Sequence, residues 1–498
     1  MGLLDNEPQW TPCSEDSISH PCYTRPLLGG ELNLGYISRV NNGFGDVCIG
    51  LDFTASIAKD QLKTAAQLAL ARLRFVSPII AADTRGTKEN EHALSWHYPV
   101  LSSSQEAIAW ARDCLVVLPR PTNIDEFLRG ATKTLLPYTL SDGRDQYFRA
   151  YLLLGDKECS LFFHGCHSMI DVRPALRALS SMLGWIAEFD SLDLVVSSLQ
   201  WGTEWKNLPA GPVTSMGGPS PPWEEGGQEL FNKAMEARQR QATPTLLARR
   251  DTVSEPGVQL RIVRTLGAEL SKRLLAKVKS YGLTVTHLLV AAMALAVLNI
   301  RPIPKEELAT RYYTVASVPI STDRYLIPPH NVPSRFTTGT ADWPISWPLS
   351  ILLDVDDPKE RLLATMRAIK PQYDVFMASP HAAQLSAATL KIFPPSGGPI
   401  KVDGEGRDQS FMSNVGVLES FIATSWPRAE AASDSQSKLT ISAFNIAQRI
   451  IAGWLFTHAW SIHDSLHVQV QASDMWDIAQ LDEYIDEVVR QALYILHD

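Results

Sequence analysis

A Gly- and Pro-rich stretch near the middle of the chain restricts its possible folds more than any other feature. Residues 201–227 hold six Gly, five Pro and three Trp. Proline lacks a backbone N–H donor and fixes φ, so this stretch cannot form a long helix or a central strand. It divides the 498 residues into two parts of roughly 200 residues or more, each large enough for its own core. The sequence therefore predicts two domains joined by a crossover.

Strand and helix patterns interleave on both sides of this stretch. The predicted strands include residues 46–53, 78–81, 147–154, 160–164, 258–266, 312–320, 439–444, 455–462 and 465–472. The predicted helices include residues 59–75, 105–113, 172–189, 229–241, 267–281, 285–298, 359–370 and 482–496. Elements of comparable length that alternate in this way favour α/β layered domains.

The composition shifts give the domain boundaries. We predict an N-terminal domain at residues 1–200, a crossover linker with a helix at 201–255, and a C-terminal domain at 256–498. The first 45 residues, rich in Gly, Pro and Asn, are predicted to be an irregular lead-in. The helix that starts at residue 359 is predicted to stop before Pro371, because proline breaks the helical hydrogen-bond ladder.

Charge and the N-terminal sequence exclude several classes of protein. The formal net charge of −9 argues against a nucleic-acid binder, which usually carries a basic excess. The start of the chain shows no secretory signal pattern, and the longest apolar run of the sequence is too short to span a bilayer.

Six cysteines at 13, 22, 48, 114, 159 and 166 show no paired metal spacing, so we expect reduced thiols, no metal and a cytoplasmic protein.

One segment combines a strand end, a polar cluster and a helix start. Residues 167–171 read His-Ser-Met-Ile-Asp and follow the apolar strand pattern at 160–164. A histidine held there can face a cleft, and its imidazole accepts a proton near physiological pH. Asp171 lies at the predicted helix start, where a carboxylate is stabilised by the helix dipole and free amides. His167 is thus the candidate general base.

Other readings of this region are less favoured. His164, Cys166 and His167 could suggest zinc, but no second cluster in the sequence completes a ligand set. Cys166 is better explained as a buried structural cysteine than as a nucleophile. His458, on the predicted strand at 455–462, could lie either at the surface or at the edge of a substrate tunnel.

The chain resembles the superfamily of chloramphenicol acetyltransferase, the plant BAHD acyltransferases and the condensation domains of peptide synthetases. The resemblance rests on His-x-x-x-Asp at 167–171, an apolar helix at 282–292, a strand and Arg-containing turn at 318–324, and Ser-Asn-Val-Gly-Val at 413–417. It covers roughly residues 25–498 and is closest to fungal trichothecene O-acetyltransferase-like enzymes. The plant Asp-Phe-Gly-Trp-Gly motif is absent from the sequence.

The resemblance implies a fold and a mechanism. It implies two similar chloramphenicol acetyltransferase-like α/β domains with mixed sheets, which face each other across a central tunnel. His167 would deprotonate the acceptor there, with Ser413 or Asn414 as candidate oxyanion or substrate contacts. Asp171 would turn away from His167 and pair with Arg324 as a structural clamp.

The predicted activity is O-acyl transfer, most simply acetyl transfer, from acyl-CoA to a hydroxyl of a terpenoid or polyketide-type metabolite. Acyl-CoA would be a co-substrate rather than a bound cofactor, and the enzyme a monomer. Two alternatives keep the fold. One is a cyclase or pericyclase that cradles a reactive intermediate, and the other is ester or amide condensation with a carrier-protein thioester.

Overall fold

The structure is a computed structural model with most of the chain described. The described residues are 2–4, 7–13, 21–86, 93–219, 221–240, 246, 258–332, 336, 340–395, 410–427, 438–450 and 453–497.

Helices and strands alternate along the described parts of the chain. The helices are α1 (Gly30–Val40), α2 (Lys59–Val76), α3 (Ser104–Cys114), α4 (Ile124–Lys133), α5 (Val172–Ala187), α6 (Phe189–Ser198), α7 (Pro212–Ser215), α8 (Gly227–Gln239), α9 (Ala268–Ser280), α10 (Val285–Ile300), α11 (Lys305–Thr310), α12 (Pro358–Ala378), α13 (Leu385–Ile392) and α14 (Ile478–Leu493). The strands are β1 (Thr11–Pro12), β2 (Cys22–Pro26), β3 (Val47–Ala55), β4 (Asp83–Arg85), β5 (Ser95–Pro99), β6 (Leu115–Pro119), β7 (Tyr138–Thr139), β8 (Asp145–Gln146), β9 (Phe148–Leu154), β10 (Glu158–Gly165), β11 (Gln259–Leu266), β12 (Tyr312–Ser321), β13 (Thr340–Pro348), β14 (Ser410–Val417), β15 (Ser425–Trp426), β16 (Leu439–Gln448), β17 (Leu455–Ile462) and β18 (Ser465–Ser473).

Two six-stranded mixed sheets form the centres of two lobes. The first has the order β15-β16-β3-β10-β9-β6 and the second β11-β18-β17-β14-β12-β13. Each sheet combines antiparallel pairs with parallel ones, β6 beside β9 in the first and β14 beside both β12 and β17 in the second. The predicted α/β class with mixed sheets is confirmed.

The second half of the chain does not stay in its own lobe. Strands β15 and β16 cross over and complete the first sheet, where β16 pairs antiparallel with β3 from Leu439–Ala55 to Gln448–Val47. Their apolar side chains, with Val415 and Trp460, belong to the core of the first lobe. The predicted unit 256–498 is therefore not one continuous domain, because tertiary strand pairing decides where this segment lies.

Each lobe buries its own helices. In the first lobe α2 and α5 pack on the sheet, and in the second α10 lies among α12, α14 and β14. Helix α10 is apolar on nearly all sides and almost wholly buried, as a central core helix should be. Among the described residues no single helix has the length and apolar composition to cross a membrane; α9 and α10 would do so only as a pair, bent by 98°.

Three local predictions were wrong. The lead-in contains β2 and α1, which are anchored by the buried ion pair of Arg25 and Glu31 at 2.9 Å. Residues 78–81 form a 3₁₀ turn after α2 rather than a strand. Helix α12 continues through Pro371, because apolar residues on both sides of it, from Leu362 to Phe376, are buried in the same core. In each case tertiary contacts outweigh local preference.

Candidate active site

His167 lies in a tight turn between a buried strand and a helix. Strand β10 ends at Gly165, and the amides of Met169 and Ile170 both donate to the carbonyl of Cys166 at 3.0 Å. Helix α5 begins at Val172. The predicted strand and helix around the motif are confirmed. Because both ends of the turn belong to rigid elements, the imidazole is held in a defined position.

Asp171 is the N-cap residue of α5, but its side chain does not cap the helix. Its Oδ1 instead lies 3.2 Å from Nδ1 of His167, and the two side chains are 6% and 19% exposed. The two atoms are close, although their geometry is not that of an aligned hydrogen bond. Since Nδ1 faces the carboxylate, Nε2 points away from it and is the nitrogen that can meet a substrate.

The surroundings of His167 act on its basicity in opposite directions. Burial lowers the pKa of His167, but the neighbouring Asp171 carboxylate and the more distant Asp342 raise it, and the net shift is upward. An imidazole with a raised pKa is a stronger base, provided that the pH leaves it unprotonated. Asp171 therefore tunes the candidate base directly.

The second lobe contributes further titratable groups that sequence reasoning missed. Asp342 on β13 accepts a hydrogen bond from Ser317 Oγ at 2.6 Å, and burial raises its pKa. His458 on β17 is buried, so the surface alternative for it is wrong. Burial, with the nearby positive charges of Arg261 and His167, lowers the pKa of His458 to about 4, which keeps it neutral at physiological pH. Neither residue forms a sequence motif with His167, and only the fold brings them near.

Arg324 does not form the predicted clamp. Its guanidinium contacts Tyr325 and Met377, while Asp171 faces His167, so the expected pair of Asp171 with Arg324 is wrong for the described residues. The turn after β12 bends so that its neighbour Asp323 faces the first lobe. Asp323 Oδ2 lies 2.9 Å from Nη2 of Arg177 on α5. An Asp–Arg contact between the lobes therefore exists, but the arginine belongs to the first lobe and the aspartate to the second, the reverse of the prediction.

A second arginine of α5 also reaches the other lobe. Arg173 donates from Nε and Nη2 to the backbone carbonyl of Val415 on β14, at 3.2 and 3.0 Å. Gly416 follows with a φ of +93°, and a Cβ there would lie 3.4 Å from the Arg173 guanidinium. The i,i+4 spacing of Arg173 and Arg177 puts both on one face of α5. This face fixes the motif turn against the second lobe.

The two predicted oxyanion contacts differ in availability. Asn414 donates from Nδ2 to Thr286 Oγ1 at 3.0 Å and accepts from the Gly416 amide at 3.0 Å. Its amide is therefore engaged in holding the irregular strand against the start of α10. Ser413 is half-buried on β14, directly opposite His458 of β17. Among the described residues Ser413 makes no side-chain hydrogen bond of this kind, so its hydroxyl is the less engaged of the two side chains.

The other polar residues of the motif are structural. Cys166 Sγ lies 2.9 Å from Ser168 Oγ, and burial raises the pKa of the Cys166 thiol to about 12. His164 contacts Tyr138, and burial lowers its pKa to about 3. A thiol that stays protonated is a poor nucleophile. The interpretation of Cys166 as a buried structural cysteine agrees with this environment.

Several solved structures share this fold over nearly the whole chain. The TRI3 trichothecene 15-O-acetyltransferase from Fusarium sporotrichioides aligns with a TM-score of 0.79 and 17% identity, covering 98% of this chain and 97% of that one. The condensation domain of the monacolin K polyketide synthase MokA gives 0.60 and 12%, with 95% and 98% covered. A starter condensation domain of rhizomide synthetase, in complex with C8-CoA, gives 0.59 and 10%, with 95% of each chain covered.

These likenesses establish the fold. No family model and no curated protein matches the sequence. The three-dimensional match nevertheless extends over both lobes and confirms the predicted two-lobed α/β architecture.

Proposed function

We propose that this chain, which has the two-lobed fold shared by a trichothecene acetyltransferase and condensation domains, is an acyltransferase with His167 as its general base. One observation carries the proposal: the imidazole of His167, oriented by Asp171 at 3.2 Å, lies in a turn held against the other lobe. Two-lobed folds commonly bind substrates between their lobes. We propose further that a tunnel between the two lobes leads the substrates past His167.

The proposed reaction uses Nε2 of His167, the ring nitrogen that does not face Asp171. Nε2 of neutral His167 takes the proton of an acceptor hydroxyl while the oxygen attacks a thioester carbonyl. A C–O bond forms, the tetrahedral intermediate collapses, the C–S bond breaks, and the imidazolium returns the proton to the leaving thiolate. Asp171 stabilises the imidazolium during this cycle. A positioned base of this kind contributes about 10²–10⁴-fold to the rate.

Ser413 is the proposed donor to the developing oxyanion. It is half-buried and lies on the strand that Arg173 holds near the motif turn, whereas the Asn414 amide is already engaged. A hydroxyl donor placed where negative charge develops stabilises the transition state more than the ground state. No acyl-enzyme intermediate is needed, which suits a site whose cysteine stays protonated.

The proposed donor is an acyl-CoA, most simply acetyl-CoA, and the proposed acceptor a hydroxyl of a terpenoid or polyketide-type metabolite. Support comes from the names of two structural neighbours, a trichothecene 15-O-acetyltransferase and a condensation domain in complex with C8-CoA. CoA would act as a co-substrate that leaves after each turnover.

The test is incubation of the purified chain with acetyl-CoA and a panel of terpenoid and polyketide alcohols. Free thiol release that depends on the alcohol, with an acetylated product by mass spectrometry, supports the proposal. His497→Ala, an exposed histidine near the C-terminus, is the matched control for His167→Ala. Transfer only from a carrier-protein thioester would replace the proposal with condensation. Conversion of a polyene without thiol release would replace it with a cyclase.

A further inference from the structure

Three metal-ligating side chains meet on a small sheet outside the candidate active site. The four-stranded sheet β1-β2-β5-β4 carries Cys22 on β2 and His97 on β5, and Cys13 follows β1 directly. The ligand atoms of Cys13, Cys22 and His97 all lie within 4.8 Å of one another. Cys13 and Cys22 are joined by a disulfide in this structure, so the prediction that all six cysteines are reduced is wrong for these two.

Strand register explains why these residues converge. Cys22 pairs with Pro99, two positions from His97, so both side chains face the same side of the sheet. The Cys13 amide donates to the Cys22 carbonyl at 2.8 Å, which extends the β1–β2 pairing by one residue. Cys13 Sγ lies 4.0 Å from Nδ1 of His97. Ligands of a tetrahedral zinc ion lie about 3.5 Å apart for one sulfur and one nitrogen.

A carboxylate lies on the strand next to His97. Asp83 on β4 is the direct cross-strand partner of His97. Its Oδ2 accepts from Arg85 at 2.9 Å, whereas its Oδ1 is buried and has no hydrogen-bond partner among the described residues. Cys22, Asp83 and His97 also line one cavity of about 110 Å³, which is large enough for an ion and a water molecule.

We propose that this cluster binds one Zn²⁺ when Cys13 and Cys22 are reduced. The two thiolates and Nδ1 of His97 supply three ligands, and Asp83 Oδ1 or a water molecule supplies the fourth. Sulfur, imidazole and carboxylate ligands in tetrahedral geometry are the set that zinc prefers. The disulfide is then the metal-free, oxidised state of the same site.

The chemistry balances with a thiol reductant as the co-reactant. Two reductant thiols pass two electrons to the Cys13–Cys22 bond, form their own disulfide and leave two protein thiols. Zn²⁺ then displaces two protons as the thiolates bind. Exchange of the bound thiolates with a small-molecule disulfide, which takes up the two electrons and becomes two thiols, would reverse this step and release the ion.

Local charge is compatible with zinc. Arg74, Arg85 and Arg144 also line the cavity. Arg85 is paired with Asp83 at 2.9 Å and Arg144 with Asp142 at 2.6 Å, while Arg74 stacks on the ring of Trp110. The Asp83 carboxylate already balances Arg85, and the two thiolates bring two further negative charges, so the ion enters a site with anionic ligands. The surrounding guanidinium groups favour the thiolate form that binds it.

The experiment compares the full chain in its two redox states. Protein reduced with a phosphine and freed of reductant without air is titrated with Zn²⁺ against a chromophoric chelator. The proposal predicts one tightly bound zinc per reduced chain and at least about a hundredfold weaker binding after oxidation. Bound Co²⁺ should show thiolate charge-transfer absorption only in the reduced protein. Equal zinc binding in both states, or none in the reduced state, would overturn the proposal without any variant.

Variants then assign the ligands. Cys22→Ser and His97→Gln should each lower the zinc affinity of the reduced chain at least about a hundredfold, and Asp83→Asn about tenfold. Cys159→Ser, which removes a buried cysteine of β10, is the control and should bind zinc like the wild type. Circular dichroism checks that each variant folds. Wild-type zinc affinity in folded Cys22→Ser and His97→Gln would refute the assignment.

Discussion

The imidazole Nδ1 of His167 lies 3.2 Å from the Oδ1 atom of Asp171, four residues later in the chain. The Asp171 backbone is extended and starts α5, while its side chain turns back to the histidine instead of to the helix amides. A carboxylate in this place favours the tautomer with the proton on Nδ1 and leaves Nε2 as the base. Asp171 is thus placed to act as a positioning residue for His167.

Asp171→Asn should lower the pKa of His167, because it removes the charge that outweighs the lowering effect of burial. His167 acts as a base only when unprotonated, so kcat/KM falls with decreasing pH through its pKa. In the variant this acid limb should move to lower pH, and the plateau should fall about tenfold or more. A pH profile of kcat/KM measures both effects. An acid limb at the wild-type pH would show that Asp171 does not tune the base.

The contact of Arg177 with Asp323 should couple the two lobes. Both side chains are mostly buried, at 25% and 15% exposed, so solvent screens the pair only partly. A double-mutant cycle with Arg177→Met and Asp323→Asn should give a coupling free energy of about 1 kcal/mol in urea unfolding. Arg324→Ala, next to Asp323 but bound to Tyr325, should change stability by less than about 0.5 kcal/mol. A negligible coupling free energy between Arg177 and Asp323, together with a larger loss of stability in Arg324→Ala, would instead make Arg324 the residue that joins the lobes.

Substitutions of Ser413 and Asn414 should have different effects, one on the reaction rate and the other on stability. Asn414→Ala removes two hydrogen bonds that hold β14 and should lower the free energy of unfolding by about 1–3 kcal/mol. Ser413→Ala should leave stability nearly unchanged and lower kcat about 10²-fold or more, if its hydroxyl meets the oxyanion. Thermal unfolding and steady-state rates on both variants provide the comparison. A Ser413→Ala enzyme with wild-type kcat would remove Ser413 from the mechanism.

Asp46 should make stability depend on pH between about pH 4 and about pH 7. Burial raises its pKa to about 7, against the lowering effects of Ser38 and Arg449. A folded-state pKa above the unfolded value of ~3.9 means that this contribution to stability is complete below pH 4 and is lost as the pH rises to about 7. Asn does not titrate, so between pH 4 and pH 8 Asp46→Asn should gain on the order of 4 kcal/mol relative to the wild type. If the free energies of unfolding of the wild type and Asp46→Asn changed with pH in the same way, the raised pKa of Asp46 would be contradicted.

The strand and helix around His167 could be predicted because their patterns are local. Apolar runs at strand length and apolar residues at helical spacing mark β10 and α5, and the motif lies between them. The residue of the second lobe that contacts α5 could not be predicted in the same way. Arg324 and Asp323 are adjacent in sequence, and only the bend of the turn decides which of them faces α5.

Long-range pairing accounts for the other differences. Strand β16 has an ordinary strand pattern, but its place beside β3 depends on the fold of the whole chain. The cysteines at 13 and 22 lie nine residues apart, and His97 is far from both in sequence, so spacing alone could not bring them together. Asp342 and His458 likewise interact electrostatically with His167 only because they lie on the second sheet. These groups depend on strand register, which a single sequence does not determine.

The rate at which free CoA thiol appears, measured for wild type and His167→Ala with acetyl-CoA and an accepted alcohol, tests the central claim most directly. Both proteins should have the same circular dichroism spectrum and unfolding midpoint within about 2 °C. We predict that the alcohol-dependent rate falls about 10²–10⁴-fold in His167→Ala, while His497→Ala keeps the wild-type rate. An alcohol-dependent rate in His167→Ala equal to that of the wild type would contradict the assignment of His167 as the general base.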